Sequence, residues 1–202
     1  MNHKIIFYLV RHGQTEWNVE QRIQGQLDSP LTVKGIDQAR SLAEQCADLN
    51  ISTILTSPLG RAVETAEICA ERLDLNPTLV EGFEERHFGV WQGVLVSEVK
   101  AHIDYPEITS QITDCKPQSG ESAKQALLRF ENTLSKTLKK ANQEVSVVII
   151  HGELLRCFLA QFVQTSDDYS LSKTSSNTGY DYPNGQLIPL SYDQHFGTYS
   201  YL

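Results

Sequence analysis

Positive charge is in short supply in this 202-residue chain: 17 Lys and Arg stand against 25 Asp and Glu, for a formal net charge of −8 and a pI near 5.2. Nonspecific nucleic-acid and membrane-surface binders carry a basic footprint, so this balance argues against both and requires any anionic ligand to be held by a local basic cluster. Long apolar runs are also missing. The run from Ile5 to Val10 is too short to span a bilayer, is cut by Arg11 and is followed by no signal-peptide cleavage pattern, so a soluble, cytoplasmic protein is expected. Cysteine is sparse: Cys46, Cys69, Cys115 and Cys157 are scattered without metal-ligand spacing. Three of them fall on apolar faces of predicted helices, so buried thiols are expected, with no metal, cofactor or disulfide framework. No internal repeat, low-complexity tract or linker divides the chain, and its length suits one domain with one sizeable core, residues 1–202.

What is present is an alternation of short apolar strands and helical patterns. Strands are expected over Lys4 to Val10, Thr53 to Thr56, about Thr78 to Val80, and Val145 to Ile150, all β-branched or aromatic in character. Thr32 can cap a helix running to about Leu49, with Ile36, Ala39, Leu42, Ala43 and Cys46 on one face, and Gly35 weakens it only modestly. Ser57-Pro58 reads as a second helix start, which places Arg61 one turn into the helix, and Ala62, Thr65, Ala66, Cys69 and Leu73 continue its apolar stripe. Further helices are expected over Glu121 to Lys140 and Leu154 to Val163. Ser170 to Gly185 is polar and reads as a loop, and Gln186 to Ser191 with Thr198 to Tyr201 as a terminal hairpin at a sheet edge. The expected fold class is α/β: a three-layer, doubly wound, mostly parallel sheet with helices on both faces and a C-terminal edge hairpin.

In such a sheet, ligands bind beyond the carboxyl ends of the strands. Two strands here run directly into histidine and glycine: the first into Arg11-His12-Gly13, the last parallel strand into His151-Gly152. With Arg61 they gather nitrogen donors at one sheet edge, where arginine and helix N-termini suit a phosphoryl group and a neutral imidazole is a competent nucleophile. Taken singly, each has a plainer explanation. Arg61 could be a solvated helix residue paired with Glu64 or Glu67, and Glu85 a loop cap; the joint pattern favours function.

Four motifs together resemble the histidine phosphatase superfamily, also called phosphoglycerate mutase-like, over almost the whole chain. They are Leu9-Val10-Arg11-His12-Gly13-Gln14-Thr15-Glu16-Trp17-Asn18; Arg22-Ile23-Gln24-Gly25-Gln26-Leu27-Asp28-Ser29-Pro30-Leu31-Thr32; Ser57-Pro58-Leu59-Gly60-Arg61-Ala62; and His151-Gly152 with Arg156. The resemblance implies that His12 attacks phosphorus to form a phosphohistidine, while Arg11, Arg61 and His151 hold the phosphoryl oxygens and Asn18 adds a contact. The run Phe83-Glu84-Glu85-Arg86-His87-Phe88-Gly89 resembles the family's proton-donor segment and makes Glu85 the acid, with Glu84 as the alternative. Gly25 and Gly152 are expected to line the substrate site, Gly25 because the absence of a Cβ permits close approach. Trp17 and Trp91 are expected to pack beneath their motif loops rather than touch substrate.

Glu153 departs from the family pattern, and two orientations stay open: an acid in the first turn of its helix, or a charge in the cleft that disfavours anionic leaving groups. The expected function is a metal-independent phosphomonoesterase acting on a small-molecule phosphate monoester. The first alternative is a phosphoglycerate mutase, favoured by Glu85-Arg86-His87 but disfavoured by Val94 to Pro117, which contains no arginine to grip a second phosphate. A noncatalytic phosphate sensor on the same fold is the second. Ser119 or Ser122 is expected to cap the helix that follows. No nucleic-acid or membrane partner is expected, and the exposed sheet edge near the hairpin offers a surface for a homodimer.

Overall fold

The structure, a computed structural model, describes residues 4–141, 145–162 and 182–202. Six strands form one sheet in the order β3-β2-β4-β1-β5-β6: β1 (Lys4–Arg11), β2 (Thr53–Thr56), β3 (Pro77–Leu79), β4 (Ser146–Ile150), β5 (Leu187–Asp193) and β6 (Thr198–Tyr201). The first four are mutually parallel, whereas β5 runs antiparallel to β1 and β6 antiparallel to β5. The α/β class, the mostly parallel sheet and the edge hairpin are as expected.

Strand alternation sorts the core into two faces. Ile5, Phe7 and Leu9 of β1 with Val148 and Ile150 of β4 join one cluster with Phe130 and Leu134 of α6 (Ala123–Lys140) and Leu154 and Phe158 of α7 (Gly152–Leu159). Val10, Val147 and Ile149 point the other way, onto Leu42 and Cys46 of α2 (Val33–Ala47) and Ala62 and Cys69 of α3 (Gly60–Leu73). Helices therefore cover both faces. A third cluster, Ile23, Phe88, Trp91, Val96, Val99 and Ile108, packs the segment between β3 and α6. It contains three short elements that the sequence pattern did not indicate: a 3-10 turn at Gly89–Trp91, α4 (Val96–Val99) and α5 (Tyr105–Ser110). Another short helix, α1 (Glu16–Val19), is closed by a Thr15/Asn18 capping box.

Several boundaries differ from expectation. Helix α3 starts at Gly60 rather than at Ser57-Pro58, so Arg61 stands at its second residue, not a turn inside it. The Ser57 Oγ lies 2.7 Å from His151 Nε2 and accepts the Leu59 N–H at 3.3 Å, ahead of the helix, while the carboxylate of Asp28 accepts the Gly60 and Arg61 N–H groups at 2.7 and 3.3 Å. Helix α6 begins at Ala123 rather than Glu121 because Ser122, one of the two expected caps, closes it in a box with Gln125; Ser119 adopts a left-handed backbone instead. Helix α7 begins two residues early, directly after His151, and ends at Leu159. β3 is shifted by one residue, and β5 runs on to Asp193. Of the polar loop expected over Ser170 to Gly185, residues 170–181 lie outside the described residues, as does Val163.

Candidate active site

The three central strands each deliver a residue at their carboxyl ends. Arg11 closes β1 and His12 follows it; Ser57 follows β2; His151 follows β4 and is the N-cap residue of α7. The loop after β1 is drawn against α2, where Gly35 has no Cβ because that atom would lie 2.1 Å from the Gln14 carbonyl oxygen. That approach, and a bond from the Gly13 N–H to Thr65 Oγ1 of α3 at 3.0 Å, fix the path of the chain just past His12.

His12 is buried, and its Nδ1 stands 2.7 Å from the Gly13 carbonyl oxygen. A carbonyl can only accept, so Nδ1 carries the proton and Nε2 presents a lone pair, toward which Arg61 Nε donates at 3.2 Å. Burial, then Arg61 and Arg11, hold the His12 pKa well below its ordinary value against the pull of the Gly13 carbonyl, which keeps the ring neutral. The His151 ring lies 5.3 Å from it, centroid to centroid. His151 is also held well below the ordinary range, by burial first and Arg61 next. Its Nε2 is 2.7 Å from Ser57 Oγ, and its buried Nδ1 has no hydrogen-bond partner among the described residues.

Arg61, 2% exposed, is gripped by the loop of the second motif: Nη1 donates to Leu27 O at 2.8 Å and Asp28 Oδ1 at 2.7 Å, Nη2 to Gly25 O at 2.7 Å. Burial lowers its pKa, and the charges of Asp28 and Glu85 oppose that shift. Gly25 takes a φ of +56°, a backbone conformation that favours glycine, and a Cβ there would lie 2.3 Å from Gln92 Oε1 and displace that side chain. Arg11 donates through Nη1 to Tyr182 O at 3.2 Å, and Asn184 Nδ2 donates to His12 O at 2.7 Å, which brings the start of the last described segment over the site.

Glu85 approaches from the segment after β3 and is 6% exposed. Its Oε1 accepts the Arg86 and Leu154 N–H groups at 2.9 and 3.1 Å, and Oε2 accepts the Glu153 N–H at 3.0 Å. Burial, the largest effect, pushes its pKa up and Glu153 adds to this, while the N–H donors and Arg61 pull it down; the net direction is upward. Glu84 is engaged elsewhere, accepting the Gly82 N–H at 2.7 Å, which removes it as the alternative at the cleft.

A cleft of about 280 Å³ unites these groups. Arg11, His12, Asn18, Gly25, Arg61, Glu85 and Gly152 all line it, as the sequence led one to expect, whereas His151 is fully buried and reaches the site through its ring contact with His12. Trp17 lines the cleft, and Trp91 is buried against His102 and Tyr105. Glu153 settles inward, 1% exposed, between Arg86 and Arg156. Sequence reasoning assigned no role to Ser57 beyond capping, to Asp28 or to Asn184. Asp28 carried a signal, since it lies inside the second motif; Asn184 lay in a stretch whose composition says only loop. Among the described residues no group of three or more His, Cys, Asp or Glu converges, and no helix is long and apolar enough to cross a membrane.

The family model described as Histidine phosphatase superfamily (branch 1) matches residues 7–181. A probable phosphoglycerate mutase, GpmB, from Enterobacter sp. (strain 638) is 35% identical over 162 residues, covering 76% of this chain and 72% of its own length. Among solved structures, Bacillus stearothermophilus YhfR superposes with a TM-score of 0.81 at 29% identity, covering 98% of this chain and 95% of its own. Phosphoserine phosphatase from Entamoeba histolytica, solved with 3-phosphoglyceric acid, gives a TM-score of 0.75 at 27% identity over 98% of this chain and 94% of its own. A mycobacterial glucosyl-3-phosphoglycerate phosphatase, Rv2419c, gives 0.75 at 25% identity, with 93% and 92% covered. Because the family match begins within β1 and runs past α7, taking in both strand-end histidines, the chain belongs to the histidine phosphatase superfamily.

Proposed function

We propose that this protein is a phosphomonoesterase that works through a phosphohistidine on His12. The observation that carries the reading is the fixed tautomer of that residue: Nδ1 is tied to its own chain at Gly13 and a neutral Nε2 faces a cationic cleft. In this mechanism Nε2 attacks phosphorus, the bond from phosphorus to the ester oxygen breaks, and Glu85 gives its proton to the departing alkoxide. Water then attacks the phosphohistidine, Glu85 takes the proton back, and the P–N bond breaks to return neutral His12. Arg11 and Arg61 meet the phosphoryl oxygens with charge that needs no rearrangement in the transition state. Ser57 donates to Nε2 of neutral His151, so that His151 Nδ1–H becomes a further donor to them. Asn18, Gly25 and Gly152 border the bound substrate.

The name of the Enterobacter relative favours a second reading, a phosphoglycerate mutase. Against it, the only arginine on the cleft beyond Arg11 and Arg61 is Arg22, already bound to Glu20 and to Gly93 O at 2.9 Å, so no unengaged arginine of the described cleft awaits a second phosphate. The two phosphatase neighbours act, by name, on substrates of the phosphoglycerate and phosphoserine type, and such small phosphorylated acids head the panel to be tested. Phosphate release from p-nitrophenyl phosphate and that panel, with EDTA present, is measured beside a 3-phosphoglycerate mutase assay primed with 2,3-bisphosphoglycerate. Phosphate release with negligible isomerisation is expected. Primed isomerisation without net release would establish the mutase, and inactivity in both assays would favour the sensor.

A further inference from the structure

Arg86 and Glu153 form the most deeply buried ion pair among the described residues, Nη1 to Oε1 at 2.9 Å with side chains 0% and 1% exposed. Arg156 adds two bonds to the same carboxylate, at 2.8 and 2.7 Å. A buried pair costs so much desolvation that stability alone explains it poorly, and an apolar pair of similar volume often serves as well. What distinguishes this pair is where its backbone points. The N–H groups of Arg86 and Glu153, with that of Leu154, are the donors that hold both oxygens of Glu85. Arg86 further ties in the carbonyls of Ile108 and Glu121 at 2.6 and 2.9 Å, so its guanidinium gathers the segment around the acid.

We propose that Arg86 and Glu153 are positioning residues for the Glu85 carboxyl group, strapping the Glu85 loop to the first turn of α7 so that the carboxyl stays aimed into the His12 cleft. This deepens the phosphatase reading and rests on it. Neither side chain touches substrate; each acts through Glu85. The strap also has an electrical consequence, because the Glu153 charge favours the protonated form of Glu85 that a proton donor needs. The other charged groups acting on Glu85 are Arg61 of α3 and Arg129 of α6, with Arg86 beside it and Arg156 on α7. Without the Glu153 charge, those cations and the N–H donors pull Glu85 toward its anion.

Glu153→Gln tests this with two independent readouts. The first is the ¹³C titration of the Glu85 carboxyl, which requires no turnover; its midpoint is expected to fall by about half a pH unit or more. The second compares glycerol 2-phosphate with p-nitrophenyl phosphate, whose leaving group needs no proton: kcat is expected to drop about tenfold on the first and less than about threefold on the second. The same change in a Glu85→Gln background should cost nothing further. Should Glu153→Gln fail to fold, Arg86→Met combined with Glu153→Leu removes the strap with an apolar pair, and the same leaving-group-selective loss is expected. An unmoved Glu85 midpoint, equal losses on both substrates, or losses additive with Glu85→Gln would overturn the strap. A wild-type protein that releases no phosphate but whose Glu85 midpoint falls in Glu153→Gln would overturn the phosphatase reading while supporting the strap.

Discussion

His12, in the proposed mechanism, owes its reactivity to its neighbours: the Gly13 carbonyl selects its tautomer, and burial beside Arg61 and Arg11 keeps it unprotonated. His12→Ala should therefore abolish phosphate release while leaving the circular dichroism spectrum and melting behaviour close to wild type; activity retained in that folded variant would refute the nucleophile. Glu85→Gln keeps the shape of the side chain and removes its proton, so turnover of alkyl phosphates should fall by about 10² or more and that of p-nitrophenyl phosphate by far less. Equal losses would mean that Glu85 only positions. Ser57 offers a subtler case. Its hydroxyl is the only hydrogen-bond partner of the His151 ring nitrogens among the described residues, and Ser57→Ala should lower kcat about tenfold with little change in KM, the pattern of a group that matters in the transition state. A rise in KM alone would assign Ser57 to binding instead.

At the scale of elements, α3 shows how far a distant residue can redefine a helix start. The Ser-Pro pair at 57–58 is a strong local signal for a cap, but the serine oxygen reaches the Leu59 N–H, ahead of the helix, and Asp28, 32 residues before Gly60, supplies the oxygen to the first turn. Asp28 also pairs with Arg61 Nη1 at 2.7 Å, so one carboxylate caps the helix and orients its arginine. Asp28→Ala should cost about 1 kcal/mol through the lost cap, since the 39% exposed side chain weakens the charge contribution, and lower Tm by about 2–4 °C. The same variant should lose more than tenfold in kcat/KM because Arg61 loses its orientation; unchanged kinetics would show that the Gly25 and Leu27 carbonyls suffice. By contrast, α2 and α6 were legible along most of their length, because three- and four-residue apolar spacing is a local property. The short helices between β3 and α6 escaped notice because so few residues carry no period; Ile23, Phe88 and Trp91 hold that segment through a cluster assembled from separate stretches.

Across the whole molecule, the sheet places a cationic site on a chain whose net charge is −8, and burial of the two histidines makes its stability depend on pH. Both imidazoles have folded-state values well below 6.5, so below that pH the unfolded chain binds their protons and the folded protein does not. Stability then falls as pH falls, by about 1.4 kcal/mol per pH unit for each imidazole. Glu85 works in the opposite sense: its raised value gives stability present below the ordinary value of 4.5 and lost as pH rises through the folded value. Two groups outweigh one, so Tm should decline steadily from pH 7 to pH 5, and His151→Gln should flatten the decline. A flat Tm profile for the wild type would show that the histidines are not held neutral.

The layered fold and most of the residues gathered at the site were legible along the chain, because strand alternation, helical spacing and residues placed at strand ends are written locally. Arg11, His12 and His151 could be picked out for that reason: a strand that ends at a residue delivers it to the sheet edge whatever else surrounds it. Which partner each polar group took depended instead on packing between distant segments. Glu153 had two open orientations until Arg86, 67 residues away, met it in the interior; Asn184 gained its place from the His12 carbonyl, 172 residues distant. Ser57 met His151, 94 residues away, in the same way. A buried hydrogen bond or ion pair is satisfied by whichever complementary group the packed core brings within about 3 Å, and a linear pattern does not record that distance.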